Sequence, residues 1–474
     1  MAFVFYDTET TGTEVLYDQI LQFAAILTDD DLNEIERFEI RSRLQPHIVA
    51  GPGAMNVTGV TAAQLDDPSY PSQFEMACQI HRKLSDWEPA QFIGHNSIAF
   101  DEVLLRALFY KSLLPVYLTN TNGNSRLDTL KMLQSVSLYE PHGITFPTAQ
   151  NGRRIFKLDQ LAPANGFNHA NAHEAVSDVE ATIFMCRKVR DLAPDTWSRF
   201  MRFSNKSAVL DFCDSEDVFG LTETYFGRQH TFLLQKIGVN PNNPNEVIAV
   251  DLHYLPDDFA GKTESEIVNM LGASPKPIRR IRANALPGLV DADDAHPHSR
   301  LCDLAFEEVE GRSNQFVQTP ALKRQLLDIF VGELPEYEIS PHVEEQIYNG
   351  FPSSSDQAKL RDFHEADWPD RYDILGQIED ARYRQLGEYV IFNDAPQTLS
   401  KERRTIWANF IENRLMGHGE PCKALTLPKA LEQANDLIAN AADDKLELLR
   451  AHRDRLSAQL ELYAGNIDAT DSPQ

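Results

Sequence analysis

Asp7 and Glu9 stand two residues apart in the opening stretch MAFVFYDTETTG. The residues before them, Phe3 to Tyr6, are apolar, aromatic and β-branched and predict a strand. Side chains on a strand alternate, so the two carboxylates share a face, their Cα atoms roughly 6–7 Å apart. Two like charges on one face need a reason. Carboxylates hold hard cations and an imidazole moves protons near neutral pH, yet a lone pair of acids is equally a solvated strand end. Two further stretches bear on the choice. In HNSIAFDE, residues 95–102, Asp101 opens a predicted helix, where an acid also suits the helix dipole. In HEAVSD, residues 173–178, His173 and Asp178 are five positions apart, about 140° around one continuous helix. They converge only if His173 precedes the helix and Asp178 sits on its first turns. Taken singly, His173 reads as a surface or capping histidine. Asp178 reads as an exposed helix face, although Val176 and Val179 beside it weaken that reading.

The elements that must position these residues alternate over the first 190 or so positions. Leu21–Leu27 and Arg37–Arg43 predict strands joined by the turn Asp29-Asp30-Asp31, an antiparallel ribbon with the first strand. Ser72–Ser85 has helical spacing, Gln91–Gly94 reads as a short buried strand, and Asp101–Lys111 and Ala175–Val189 read as helices. Leu127–Leu130 reads as a further strand end. Three strands followed by α/β units predict a mixed sheet flanked by helices. Between about 194 and 347 the strand-like runs Thr231–Ile237, Val247–Leu252 and Ile278–Arg282, separated by Pro- and Asn-rich stretches, predict a small β-rich domain. From Tyr348 onward helices dominate, with Ala424–Ala442 and Asp443–Tyr463 as long amphipathic candidates, and AGNIDATDSPQ reads as a frayed tail.

The chain has 474 residues, 42% of them apolar and 24% charged, a soluble globular composition for two to four domains. The start carries no basic, apolar leader, and no run is long enough to span a bilayer. Five scattered cysteines without a CxxC pair argue against a zinc site or a disulfide framework and suggest a cytoplasmic location. The formal net charge of −27, taken alone, argues against a polyanion partner. Two local clusters run the other way: Lys276, Arg279, Arg280 and Arg282, and Arg153, Arg154 and Lys157. Their plain reading is solvated surface.

Order and spacing change the odds. DxE on the opening strand, then Asp101, then HxAxxD resembles the DEDDh group of 3′-to-5′ exonucleases, an RNase H-like fold. FYDTETTG, HNSIAFDEV, NSRLDTL, NAHEAVSDVEATI, NPNNPNEVIAVDL, IRRIRANALP and YNGFPSSSD together resemble the exodeoxyribonuclease I family within that group, over nearly the whole chain. The resemblance implies an α/β RNase H-like exonuclease domain (1–192), an SH3-like β-rich domain (193–347) and a C-terminal helical domain (348–474). It implies a Mg²⁺-dependent exodeoxyribonuclease that degrades single-stranded DNA from its 3′ end to nucleoside 5′-monophosphates in DNA repair. Asp7, Glu9, Asp101 and Asp178 would hold two Mg²⁺ ions, with Mn²⁺ as a substitute, and His173 would be the general base. Four packed carboxylates repel one another without metal, and this would explain the acidic strand end. Glu9, Lys157, Arg106, Arg126 and Lys206 match positions directed at DNA, and IRRIR would line the groove. Lys157 stands where the family carries an arginine, so it keeps the charge and loses the bidentate fork. The implied partners are single-stranded DNA and the C-terminal tail of the single-stranded-DNA-binding protein, for a monomeric enzyme. An exoribonuclease and a non-catalytic nucleic-acid-binding scaffold are the alternatives.

Overall fold

The structure, a computed structural model, describes residues 2–168, 174–335 and 338–470. It divides into two compact units, one of residues 1–124, 170–180 and 338–474, the other of residues 125–169 and 181–337.

In the first unit the strand predicted at Phe3–Tyr6 runs on as β1, Ala2–Thr10, and carries Asp7 and Glu9 within it. β2 (Ile20–Thr28) and β3 (Glu34–Arg41) follow as a meander, and β4 (Ala90–Gly94) pairs with the other edge of β1 in parallel. The sheet is therefore mixed, with order β3-β2-β1-β4 across this unit. β1 is paired on both sides and its side chains are mostly buried, which is why its sequence is a continuous apolar run. The parallel β4 needs a crossover, and the Gln73–Asp86 helix is part of it. That helix starts where its sequence says: Ser72 Oγ accepts from the Glu75 amide at 3.1 Å while Glu75 Oε2 accepts from the Ser72 amide at 2.8 Å. Gly94 ends β4 because a Cβ there would lie 2.5 Å from that of Ser97 and 3.1 Å from the Tyr6 carbonyl oxygen. The loop then turns through Asn96 at φ 64°, a left-handed position that asparagine tolerates, into the Asp101–Lys111 helix.

The C-terminal helices, among them Ser354–Glu365, Ala381–Asp394, Lys401–Met416 and Leu427–Asn440, share a core with the first 124 residues. Phe74, Tyr110 and Leu113 pack with Phe363, Tyr383 and Trp407 in one apolar cluster. The last helix, Asp443–Thr470, continues past Ala464, where the sequence suggested a frayed tail. No helix among the described residues is long and apolar enough to cross a membrane.

The second unit includes β5 (Ser125–Asp128) and an antiparallel sheet of β6 (Phe219–Tyr225), β7 (Arg228–Val239), β8 (Glu246–Asp251), β9 (Ile278–Arg282) and β10 (Leu289–Asp291), in the order β10-β6-β7-β8-β9. The strand runs are where the sequence put them, but the region is not simply β-rich. Helices Pro194–Phe203, Lys206–Ser215, Phe306–Val317 and Pro320–Gly332 flank the sheet sequence. Phe203, Val209, Phe212 and Cys213 pack beneath β6 and β7.

Candidate metal centre

β1 brings Asp7 and Glu9 to one face, and the register places them opposite Ala24 and Gln22 of β2. Glu9 is buried, 7% exposed, whereas Asp7 keeps partial access. The helix that carries Asp178 begins at Ala175, so Asp178 lies in its first turn, where a carboxylate suits the helix dipole. Ligand oxygens of Asp7, Glu9 and Asp178 all lie within 4.8 Å of one another. Asp101, the first residue of its helix, is 3% exposed and accepts a 2.5 Å hydrogen bond from Thr8 Oγ1. It stands outside that trio of oxygens, but its charge is the strongest of the neighbouring charges acting on Asp7. His173 lies outside the described residues.

The electrostatics follow from the packing. Burial first, then Asp101, Asp178 and Glu9, hold the Asp7 carboxyl well above the usual carboxylate range. Burial, Asp178 and Asp101 push Glu9 up to about 8, against a smaller opposing pull from Arg41. Without metal, the mutual repulsion and burial therefore favour the protonated form of both carboxyls. An all-carboxylate, oxygen-only donor set of this charge density fits a hard divalent cation.

Sequence reasoning missed the residues behind this front. Glu102, 1% exposed, points away from the cluster, accepts from Tyr6 Oη at 3.2 Å and Thr119 Oγ1 at 2.6 Å, and pairs with Arg106 at 2.7 Å. Arg106 also donates to Asn120 Oδ1 and lies over the Tyr117 ring, 4.9 Å from its centroid. Its guanidinium is thus already engaged, and the side chain is only 14% exposed. Nothing in the local sequence separates Glu102 from Asp101. The distinction comes from which face of the helix meets Tyr6.

In the second unit Lys157 is exposed at the N-cap of the Leu158–Ala164 helix, and Lys206 is exposed at the start of its own. Arg126 donates to the Asn284 carbonyl at 2.8 Å. The IRRIR cations are largely paired: Arg279 with Glu223 at 2.9 Å and over the Phe232 ring, and Arg280 and Arg282 with Glu246 at 3.6 and 3.7 Å.

Residues 4–185 match an exonuclease family, and residues 341–457 match the exonuclease I C-terminal domain. Exodeoxyribonuclease I of Escherichia coli strain K12 is 28% identical over 375 residues, 76% of this chain and 78% of the relative. The crystal structure of E. coli exonuclease I in complex with a dA16 oligonucleotide superposes with a TM-score of 0.84 at 25% identity, covering 98% of this chain and 99% of that one. A zinc-bound form of the E. coli enzyme with single-stranded DNA gives a TM-score of 0.81 at 25% identity, with the same coverage.

Proposed function

We infer the reaction from a premise the two matched domains supply: the chain belongs to the exonuclease I family and is a nuclease. It is a 3′-to-5′ exonuclease of single-stranded DNA, acting in repair and releasing nucleoside 5′-monophosphates. The observation that carries this reading is the convergence of Asp7, buried Glu9 and Asp178, with Asp101 beside them. The oligonucleotide complex of the E. coli relative supports the substrate class.

Asp7, Glu9, Asp101 and Asp178 would hold two Mg²⁺ ions, with Mn²⁺ as a substitute; such ions supply charge neutralisation at a phosphoryl group and acidify a bound water. The chain's own residues do the rest. Thr8 fixes one Asp101 oxygen through its hydroxyl and so orients the carboxylate. The low-dielectric surroundings of buried Glu9 strengthen its attraction for an incoming cation. His173, just ahead of the Ala175 helix, takes a proton from the attacking water as a neutral imidazole. Glu9 touches the terminal sugar, and Lys157, Lys206 and Arg126 meet the strand. Arg106 acts from a fixed position, with Glu102 holding it. Residues 193–347 form an SH3-like domain, and it and the C-terminal helical domain of residues 348–474 close on the strand to give processivity. The chain works as a cytoplasmic monomer and docks the C-terminal tail of the single-stranded-DNA-binding protein.

The test is a time course on 5′-labelled single-stranded DNA with Mg²⁺ and with EDTA, run beside a matched RNA. A ladder that shrinks from the 3′ end only with metal and only on DNA is expected. Equal or faster shortening of RNA would overturn the substrate, and no shortening of either would overturn the reaction.

A further inference from the structure

Arg153 of the NGRR stretch, whose plain reading in the sequence is solvated surface, lies beside an unusual turn in the second unit. β6 and β7 form a hairpin closed by the pair Tyr225 and Arg228, with only Phe226 and Gly227 between them. Both have positive φ, 51° and 71°, as a two-residue turn of the primed type requires. Asparagine or glycine is the favoured residue at the first of these positions, and a bulky aromatic there is strained. Packing does not offset the cost, because Phe226 is 92% exposed. Tyr225, beside it, is 42% exposed.

A second hairpin abuts this one. Residues 147–155 fold back through the Thr148–Arg154 bridge, with the Ile155 amide donating to the Pro147 carbonyl at 2.7 Å. Its tip places Arg153 beside the first: a Cβ on Gly227 would lie 3.6 Å from Arg153 Cδ. Both hairpins are anchored on the same helix, Thr129–Tyr139. Thr224 Oγ1 donates to Gln134 Oε1 at 3.0 Å, Gln229 Nε2 donates to the Gln134 carbonyl, and Arg154 Nη1 donates to the Ser137 carbonyl. The two tips are thus held on one platform. Arg153, Arg154 and Arg228 are exposed there, and neither 147–157 nor 224–231 contains a carboxylate. The nearest acid on the hairpin, Glu223, is occupied by Arg279 and the Tyr225 hydroxyl. This is a basic, aromatic island on a chain of formal charge −27.

We propose that this double-hairpin tip is a docking surface for one unpaired DNA strand, with a base stacked on the Phe226 ring and phosphates against Arg153 and Arg228. The proposal rests on the single-stranded-DNA reading of the function. A solvent-exposed aromatic face among arginines suits an unpaired base, because every base offers a π-face and every link a phosphate. Duplex DNA hides its base faces, and an acidic peptide has no use for the ring. The strained turn is then explained as the cost of holding the ring clear of the protein surface.

The test measures binding of fluorescent oligo-dT by anisotropy in EDTA, for the full chain and for Phe226→Ala, Phe226→Trp and Arg153→Gln/Arg228→Gln. Mg²⁺-dependent 3′ shortening of the same oligomers is followed in parallel. Phe226→Ala is expected to weaken binding about tenfold, Phe226→Trp to keep it, and the arginine pair to flatten the salt dependence. Phe226→Ala also has little packing to lose, so the fold is retained. Parent-like binding by Phe226→Ala and by the arginine variant, in a parent that shortens DNA, overturns the docking surface alone. Loss of binding in these variants, from a parent that binds but does not shorten DNA, supports the surface and overturns the reaction. A parent that neither binds nor shortens DNA overturns both.

Discussion

Replacing Glu9 by glutamine should stabilise the metal-free protein while abolishing its activity. Glu9 is 7% exposed, and burial with two neighbouring aspartates pushes its carboxyl up from 4.5 to about 8. A group whose folded pKa is raised imposes no penalty below its unfolded value. The penalty grows as pH rises and levels off above the folded value. At about pH 7 it amounts to about 3 kcal/mol, since each pH unit of difference is worth about 1.4 kcal/mol. The glutamine variant escapes this penalty and also relieves Asp7, which feels the Glu9 charge. Thermal unfolding in EDTA should therefore show the variant melting above the parent at about pH 8, with the gap closing towards about pH 4.5. Added Mg²⁺ should reverse the order, because a ligand that binds the folded state stabilises it by mass action and the parent binds more tightly. A variant that melts below the parent in EDTA at about pH 8, or a gap that does not change with pH, would refute the reasoning. Either result would mean that the cluster is not under electrostatic strain.

Asp178→Ala should reduce Mg²⁺-dependent nucleotide release to the level seen with EDTA, measured on the same labelled strand, because it removes one of the three converging ligands. Thr8→Val should lose about 10- to 100-fold in activity or in apparent Mg²⁺ affinity, since it frees the Asp101 oxygen that the hydroxyl holds at 2.5 Å. Glu102→Gln should lower the melting temperature by an amount equivalent to about 3–5 kcal/mol, because it leaves Arg106 buried without its partner. Away from the site, burial pushes the Asp394 carboxyl up to about 6, so its ionised form is penalised above that pH. Asp394→Asn keeps the hydrogen bond from Ser72 Oγ, and the variant should melt above the parent at neutral pH and not below about pH 4.

The sequence was most readable where local and global demands coincide. β1 reads as a strand because it is buried on both faces, and its acids are conspicuous for the same reason. The Asp101 helix begins at the residue expected, since the loop before it is fixed by Gly94 and Asn96. The helix containing Asp178 begins at Ala175, so Asp178 sits in its first turn, the part of the HEAVSD condition that concerns described residues. Less readable was anything decided by a partner far away in the chain. Glu102 and Asp101 are adjacent acids, and only the arrival of Tyr6 from β1 assigns one to support and the other to the cluster. The IRRIR stretch reads as solvated surface, but Glu223 of β6 and Glu246 of the adjacent β8 engage it.

That last contrast bears on how a chain this acidic handles a polyanion. Cations at 279–282 are paired with glutamates, so their field at a distance is small, and they serve chiefly to tie strands together. Arginines at 153 and 228 are exposed on tips without nearby carboxylates of their own, and Lys157 and Lys206 are exposed at helix starts. Attraction for phosphate is therefore concentrated at a few projecting points rather than spread over a basic face. Elsewhere the acidic surface repels a strand that is out of register. The expected signature is a shallow salt dependence for a nucleic acid ligand, reflecting a handful of phosphate contacts. A steep slope in the binding of oligo-dT would require many more cations at the strand, and IRRIR would then have to break its pairs with Glu223 and Glu246 when DNA binds.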